Sequence, residues 1–109
     1  MEIAKEMTAG YCVVKLSGRL DAVTAPEAEG YLGGLVQEGQ TALAVDLTGV
    51  DYVSSAGLRV FLVTAKKLKA AGGELSLAGL AGNVKEVIEI SGFPSIMPCF
   101  DNLKDLPAK

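Results

Sequence analysis

The stretch Val45-Asp-Leu-Thr-Gly-Val-Asp-Tyr-Val-Ser-Ser-Ala-Gly-Leu58 decides the fold, because it joins a buried strand to an amphipathic helix. Its beginning overlaps Ala42–Leu47, an almost continuously apolar run that is typical of a strand covered on both faces. Beyond it, apolar residues recur at helical spacing and predict a helix from about Ser55 to Ala71. The residues expected on the buried face of that helix are Leu58, Phe61, Leu62, Ala65 and Leu68.

Two serines, Ser54 and Ser55, lie at the start of this helix and allow two interpretations. In the first, one serine simply caps the helix. In the second, a serine is phosphorylated, because unpaired N–H groups and partial positive charge at a helix N-terminus stabilise a phosphate. Gly57 costs the helix about 1 kcal/mol relative to alanine, which is consistent with another molecule approaching the backbone closely. The arrangement favours a phosphoserine switch over a catalytic site.

The first forty residues predict a hairpin followed by a helix. Glu2–Met7 and Tyr11–Ser17 are expected to form two strands joined by a turn with a glycine. A first helix is expected from Thr24, since Thr24 and Glu27 have the spacing of a capping box. Its predicted buried stripe consists of Ala28, Tyr31, Leu32 and Leu35.

The last forty residues predict one further strand and helix, and then shorter elements. The strand is expected over about Glu74–Leu77, and Asn83 is expected to cap the helix that follows. Ile96–Phe100 predicts a short edge strand, because the proline inside it cannot donate to a ladder. Asp101 is expected to begin a small terminal helix. The residues predicted on the inner side of the third helix are Val84, Val87, Ile88 and Ser91.

This alternation of strands and helices with short connections predicts an α/β layered domain. The second and third strands flank a helix, so they are expected to be parallel with a right-handed crossover. The loops 18–23 and 48–54 then leave the same edge of the sheet, where sites in open α/β sheets are common. The side chains expected to share that surface are Arg19, Asp21, Asp51, Ser54 and Ser55.

Composition narrows the classes of function. At 109 residues the chain can bury one core, and we expect a single domain over residues 1–109. A net charge of −3 does not favour binding to nucleic acid or to an anionic membrane. The N-terminus lacks the features of a signal peptide and no apolar run could span a bilayer, so a cytoplasmic location is expected. The acidic surface and modest size favour a monomer when the protein is free.

Residue types exclude most catalytic sites. The chain has no histidine, which removes Ser-His-Asp and Cys-His catalysis and the commonest zinc sites. The aspartates around the serines lack the regularly spaced oxygen ligands of a metal site, so no metal or cofactor is expected. Cys12 and Cys99 are expected to be free structural thiols, with a disulfide or redox role as the alternative. A small hydrolase or phosphotransferase using Ser55 is the disfavoured enzymatic alternative.

Three pieces of the chain resemble a known family, the STAS domain, and specifically its bacterial anti-sigma factor antagonists. They are Gly18-Arg-Leu-Asp-Ala-Val-Thr-Ala25, Val45–Leu58 and Gly72-Gly-Glu-Leu-Ser-Leu-Ala-Gly79, and the resemblance covers essentially the whole chain. It implies a STAS-type layered α/β domain with a mixed sheet of about four to five strands and helices largely on one side.

The resemblance also implies a function and a site. Ser55 would be the phospho-acceptor. Some members carry aspartate immediately before the acceptor, whereas this chain has Ser54 there, so Ser54 is the alternative acceptor. Asp21 would lie beside the acceptor and contact the partner kinase. The implied partners are an anti-sigma factor that is also a serine kinase, which releases a sigma factor when bound, and a metal-dependent serine phosphatase. The expected partner-binding residues are Arg19, Asp21, Asp51, Ser54 and Gly57.

Members of this kind are not enzymes, and the resemblance therefore implies a binding module without catalytic residues. The alternative that the fold leaves open is a STAS subunit of a stress-signalling complex or of a lipid-transport system. Such a subunit would share the fold, and sometimes the serine, without acting directly on a sigma factor.

Overall fold

A mixed sheet with parallel crossovers organises the chain, whose computed structural model describes residues 1–108. Within those residues the sheet has four strands, in the order of the sequence. The elements are β1 (Glu2–Thr8), β2 (Tyr11–Leu20), α1 (Ala25–Gln37), β3 (Ala42–Val53), α2 (Ser55–Ala70), β4 (Glu74–Ala78) and α3 (Gly82–Ile90), followed by short 3-10 turns at Phe93–Ser95 and Leu103–Asp105.

The strand pairing confirms the predicted hairpin and the predicted parallel pairing of the second and third strands. β1 and β2 are antiparallel and are joined by a two-residue turn at Ala9 and Gly10. Both turn residues have positive φ, 53° and 88°, as a hairpin turn that follows the strand twist requires. β2 pairs with β3 and β3 pairs with β4 in parallel, each pair connected across a helix. The carboxyl ends of β2 and β3 therefore meet at one edge of the sheet.

All three helices pack on the same face of the sheet, as the predicted α/β layering requires. Their buried side chains form one core with the apolar residues of that face, among them Leu32 of α1, Phe61 of α2 and Ile88 of α3, each fully buried. The opposite face is covered by the C-terminal segment, where Leu103 and Leu106 pack against a smaller cluster. The buried members of that cluster are Tyr11, Val13 and Ala44.

The buried stripe of α2 differs from the predicted one by a rotation of about one residue. Its buried residues are Gly57, Val60, Phe61, Thr64 and Leu68. The predicted Leu58, Leu62 and Ala65 are only partly buried, on the flank of the core. The rotation arises because α2 packs against α1 and β4 as well as β3. Thr64 tolerates burial because its hydroxyl donates to the Val60 carbonyl oxygen at 2.8 Å.

Of the two other predicted caps, Thr24 holds the N-cap position of α1 without the predicted capping hydrogen bond, and the prediction at Asn83 is wrong. Thr24 precedes α1, but its side chain makes no capping bond to that helix and is used in the turn before it. Asn83 lies inside α3, whose N-cap is Ala81, and its side chain amide donates to the Asp51 carbonyl oxygen at 3.2 Å. Both side chains bind backbone groups outside their own helix, which sequence spacing does not reveal.

The C-terminal predictions are only partly correct. Ile96–Phe100 does not form a strand but makes one parallel bridge, between Cys99 and Leu77. The small terminal helix is the 3-10 turn Leu103–Asp105. In α3, Val84 and Ile88 are buried and Val87 is half-buried, whereas the predicted inner residue Ser91 follows the helix and is exposed.

Candidate functional site

The edge of the sheet where β2 and β3 end carries a tightly hydrogen-bonded turn centred on Asp21. The Asp21 carboxylate oxygen Oδ1 accepts the backbone N–H groups of Val23 at 3.0 Å and Thr24 at 3.2 Å. The Thr24 hydroxyl accepts the Asp21 N–H at 3.0 Å and donates to the Arg19 carbonyl oxygen at 2.7 Å. These bonds fix the segment from Arg19 to Thr24, which we call the Asp21 turn.

The Asp21 carboxylate is held in its charged form. The hydrogen bond from the Thr24 backbone N–H, helped by the Val23 N–H and the Thr24 hydroxyl, lowers the pKa of Asp21 below its ordinary value. Arg19 adds a weaker attraction, since its Nε lies 3.6 Å from the second carboxylate oxygen of Asp21. The turn therefore presents a fixed negative charge at neutral pH.

The residues expected in loops on both sides of this edge are instead strand residues. Arg19 pairs with Tyr52 and Leu20 with Val53 in the parallel register of β2 and β3. The Arg19 guanidinium lies over the Tyr52 ring, 4.2 Å from its centroid, in a cation–π contact. The extended pairing places Arg19 and Tyr52 on a rigid part of the scaffold rather than on a mobile loop.

Ser54 caps α2 and ties it to the Asp21 turn. Its hydroxyl oxygen accepts the Gly57 N–H at 3.4 Å, which is the geometry of an N-cap serine. Its own backbone N–H donates to the Leu20 carbonyl oxygen at 2.9 Å, immediately before Asp21 in the chain. The start of α2 is thus bonded directly to the end of β2, and Ser54 is half-buried there.

Ser55 is the first residue of α2 and has an exposed side chain. Its hydroxyl makes no hydrogen bond to any group within residues 1–108, in contrast to the hydroxyl of Ser54. The two adjacent serines are therefore used differently: Ser54 is part of the helix cap, and Ser55 offers a free hydroxyl to solvent.

Gly57, which the sequence predicts to contact a partner, lies beneath this exposed surface. It is buried in the first turn of α2. A Cβ at position 57 would lie 2.8 Å from Leu20 Cγ and 2.9 Å from the Leu20 carbonyl oxygen. The close approach that requires glycine is made by Leu20 of the same chain.

The remaining aspartates near the site have different environments. Asp51 is exposed on β3, and its carbonyl oxygen accepts the Asn83 side chain amide, which joins β3 to α3. Asp46 is buried, and its Oδ1 accepts the Thr48 N–H at 3.0 Å and the Thr48 hydroxyl at 2.6 Å. Asp46 is a structural residue, whereas Asp51 adds negative charge to the exposed edge.

Two residues of this surface were not predicted from the sequence. Val23 projects from the Asp21 turn with 87% of its surface exposed, and Tyr52 is 37% exposed beneath Arg19. A β-branched apolar residue between Asp21 and Thr24 was the available signal for Val23. An exposed apolar side chain on a rigid turn is a natural contact point for a protein partner.

Both cysteines are free thiols. Cys12 is buried in β2 and Cys99 is half-buried, and burial raises the pKa of each thiol above its ordinary value. Among the residues that the structure describes, no cluster of three or more Cys, Asp or Glu is arranged to hold a metal ion. The described helices include none that is long and apolar enough to cross a membrane.

Comparison with known proteins defines the family. The STAS domain model matches residues 2–106. The chain is 41% identical over 98 residues to BtrV of Bordetella bronchiseptica, described as an anti-sigma factor antagonist, covering 90% of this chain and 84% of that one. It is 36% identical over 84 residues to the anti-sigma-B factor antagonist of Staphylococcus aureus, covering 77% and 78% of the two chains.

A solved structure agrees with these relatives. The crystal structure of an anti-sigma factor antagonist from Mycobacterium paratuberculosis superposes with a TM-score of 0.87 at 30% identity, covering 95% of this chain and 88% of that one. The chain belongs to the STAS domain family. Within it, the sequence relatives place the chain with the bacterial anti-sigma factor antagonists, which are generally not enzymes.

Proposed function

We propose that this protein is an anti-sigma factor antagonist that acts as a phosphorylation-controlled binding module. Without phosphate it binds an anti-sigma factor that is also a serine kinase, and this binding releases a sigma factor. The kinase phosphorylates Ser55 and the complex dissociates, after which a serine phosphatase restores the binding form. The names of the relatives support the antagonist role, and the arrangement of the two serines supports the switch.

The observation that carries the choice of Ser55 is the different use of the two serine hydroxyls. A kinase can phosphorylate only a serine hydroxyl that is exposed on its substrate and can enter the kinase active site. The Ser54 hydroxyl accepts a bond from Gly57 and is half-buried, so its modification would disturb the cap. The exposed Ser55 hydroxyl is not engaged with any described residue, and its modification leaves the cap intact.

The proposed binding surface consists of rigid elements at the edge of the sheet where α2 begins. It comprises the Asp21 turn, with Arg19 and the exposed Val23, together with Asp51 and Tyr52 at the end of β3. Asp21 contributes a fixed carboxylate that can pair with a basic group of the kinase. Gly57 acts indirectly, since it allows Leu20 and the first turn of α2 to pack closely.

The proposed switch is electrostatic exclusion. A phosphoserine adds about −1.5 to −2 charges and three acceptor oxygens. On a surface that already carries Asp21 and Asp51, that charge would be poorly paired when the partner removes water. An unpaired charge buried at an interface costs about 3–5 kcal/mol, which corresponds to roughly a 100- to 4,000-fold loss of affinity.

The first test asks which serine accepts phosphate. The wild type, Ser54→Ala and Ser55→Ala are each incubated with ATP and the anti-sigma factor kinase of the same genome, and phosphate is located by mass spectrometry. We expect modification of the wild type and of Ser54→Ala at residue 55, and none of Ser55→Ala. Ser55→Ala should still bind the kinase, because it introduces no charge and leaves the Ser54 cap in place.

Ser91→Ala is the matched control, because it removes another exposed serine hydroxyl next to a helix. It should be phosphorylated like the wild type. Ser54→Ala should lose about 0.5–2 kcal/mol of stability through the lost cap. Phosphate on residue 54, or on neither serine, would refute the assignment of Ser55.

A further inference from the structure

A basic side chain lies one helical turn after Ser55 on the same exposed side of α2. Ser55 and Arg59 are four residues apart in α2, and both are exposed. Residues at this spacing are neighbours on a helix surface, with Cβ atoms about 5–6 Å apart. Because side chains on a helix tilt toward its N-terminus, the Arg59 side chain starts toward the turn that carries Ser55, and its length allows the guanidinium to reach that turn.

The Arg59 guanidinium is available for a new partner. Within residues 1–108 the ion pairs join Lys15 to Glu6, Arg19 to Asp21 and Lys85 to Asp101, and Arg59 takes part in none of them. The other arginine of the chain, Arg19, already contacts Asp21 and the Tyr52 ring. Arg59 is therefore the arginine that has no charged or aromatic partner among the described residues.

We propose that Arg59 pairs with the phosphate of phosphoserine 55 and holds it against α2 in the modified protein. The inference rests on the proposed function for its biological meaning, but the pairing itself concerns only this chain. Guanidinium and phosphate form charge-assisted, bidentate hydrogen bonds, which a lysine in the same place would reproduce less well. Arg59 would thus be a positioning residue of the phosphorylated state.

The pairing has a consequence for the switch. A phosphate held by Arg59 is oriented along α2 instead of moving freely at the edge of the partner surface. The charged groups on the neighbouring elements are Arg19 and Asp21 at the end of β2 and Asp51 on β3. The aspartates oppose the dianion, so the cation on α2 offsets part of their repulsion and makes the phosphorylated state easier to populate.

The test measures the second pKa of the phosphate by phosphorus NMR in protein that carries phosphoserine at position 55, introduced during synthesis. A nearby cation favours the dianion and lowers this pKa, which is about 6 in an isolated phosphoserine. Arg59→Gln should therefore raise it by about 0.2–0.4 unit. Arg59→Lys should give a smaller rise, since the charge remains.

Lys66→Gln is the matched control. Lys66 is exposed on the same helix eleven residues after Ser55, so it shares the same side of α2 but lies about 16 Å along the axis. At that distance screening by salt removes most of its effect, and the pKa should change by less than about 0.1 unit. Equal shifts in Arg59→Gln and Lys66→Gln, or no shift in either, would overturn the pairing.

The result of this experiment does not depend on whether the proposed function is correct. Because the phosphoserine is introduced during synthesis, the pKa measurement does not need the kinase. A kinase that never modifies Ser55 would contradict the proposed function while the pairing could still be observed. Conversely, if the kinase phosphorylates Ser55 normally and Arg59→Gln does not change the phosphate pKa, the proposed pairing with Arg59 is refuted and the proposed switch is not affected.

Discussion

At the scale of single residues, the site depends on which backbone groups each polar side chain binds. Asp21 and Thr24 bind one another and the backbone between them, so the Asp21 turn is rigid before any partner arrives. Ser54 binds the Gly57 N–H and leaves Ser55 free. The pattern separates residues that hold the surface in shape from the residue that we expect to be modified.

Asp21 offers a test of the turn through pH. Its folded pKa is lowered, so the carboxylate contributes stability above the unfolded pKa, and the contribution disappears as pH falls through the folded pKa. Asp21→Ala should unfold at lower urea concentration than the wild type at neutral pH. This difference should shrink once the pH falls below 3.8, the ordinary pKa of an aspartate. Urea titrations of both proteins at neutral pH and below pH 3.8 measure the stability difference under each condition.

Asp21→Asn is the control for charge, because its side chain oxygen can still accept the two backbone N–H groups of the turn. We expect it to be more stable than Asp21→Ala and less pH-dependent than the wild type. If wild type and Asp21→Ala differ in stability by the same amount at neutral pH and in acid, the charge on Asp21 does not contribute to the stability of the protein.

At the scale of elements, the junction of β2 with α2 is the contact on which the site depends. The Ser54 N–H bonds to the Leu20 carbonyl oxygen, and Gly57 packs against the same residue. This junction keeps the start of α2 beside the Asp21 turn. The geometry leaves no room for a side chain at position 57.

Gly57→Ala should therefore destabilise the protein although alanine is the better helix former. The added Cβ meets the Leu20 backbone, and we expect a net loss of about 1–2 kcal/mol in the free energy of unfolding. Gly34→Ala in α1 is the matched control, because a Cβ there has no atom within 4 Å. It should stabilise by about 0.5–1 kcal/mol.

Chemical denaturation of the two alanine variants decides between an internal and an external reason for Gly57. Opposite signs support the packing against Leu20. If Gly57→Ala were as stable as the wild type and lost only partner binding, glycine would instead be needed for the partner's approach, as the sequence alone suggested.

The elements were predictable where periodicity determines them and unpredictable where distant residues meet. The hairpin and the parallel crossover follow from the apolar pattern and the handedness of strand–helix–strand units. The prediction that Asn83 caps α3 is wrong because the Asn83 amide binds the Asp51 carbonyl oxygen, thirty-two residues earlier in the chain. The buried stripe of α2 is displaced by about one residue from the predicted one because the helix packs against α1 and β4 as well as β3.

At the scale of the whole molecule, the sheet brings the separate parts of the site together. Because β2 and β3 are parallel, the Asp21 turn and the start of α2 lie at the same edge, as the sequence predicted. The strand pairing at Arg19 and Tyr52 was not predicted, since both residues were assigned to loops. It makes this edge stiffer than two loops would be.

A stiff edge has a consequence for the switch. If the surface is already formed before binding, phosphorylation of Ser55 acts through charge and not through a change of fold. The partner then meets a surface of the same shape with an added negative group. The loss of affinity should come from that group alone.

The most direct test is a calorimetric titration of the anti-sigma factor kinase with two forms of this protein, unmodified and phosphorylated at Ser55. We predict that the phosphorylated form binds roughly 100 to 4,000 times more weakly. Equal affinity of the two forms for the kinase would contradict the claim that this protein is a phosphorylation-controlled binding module.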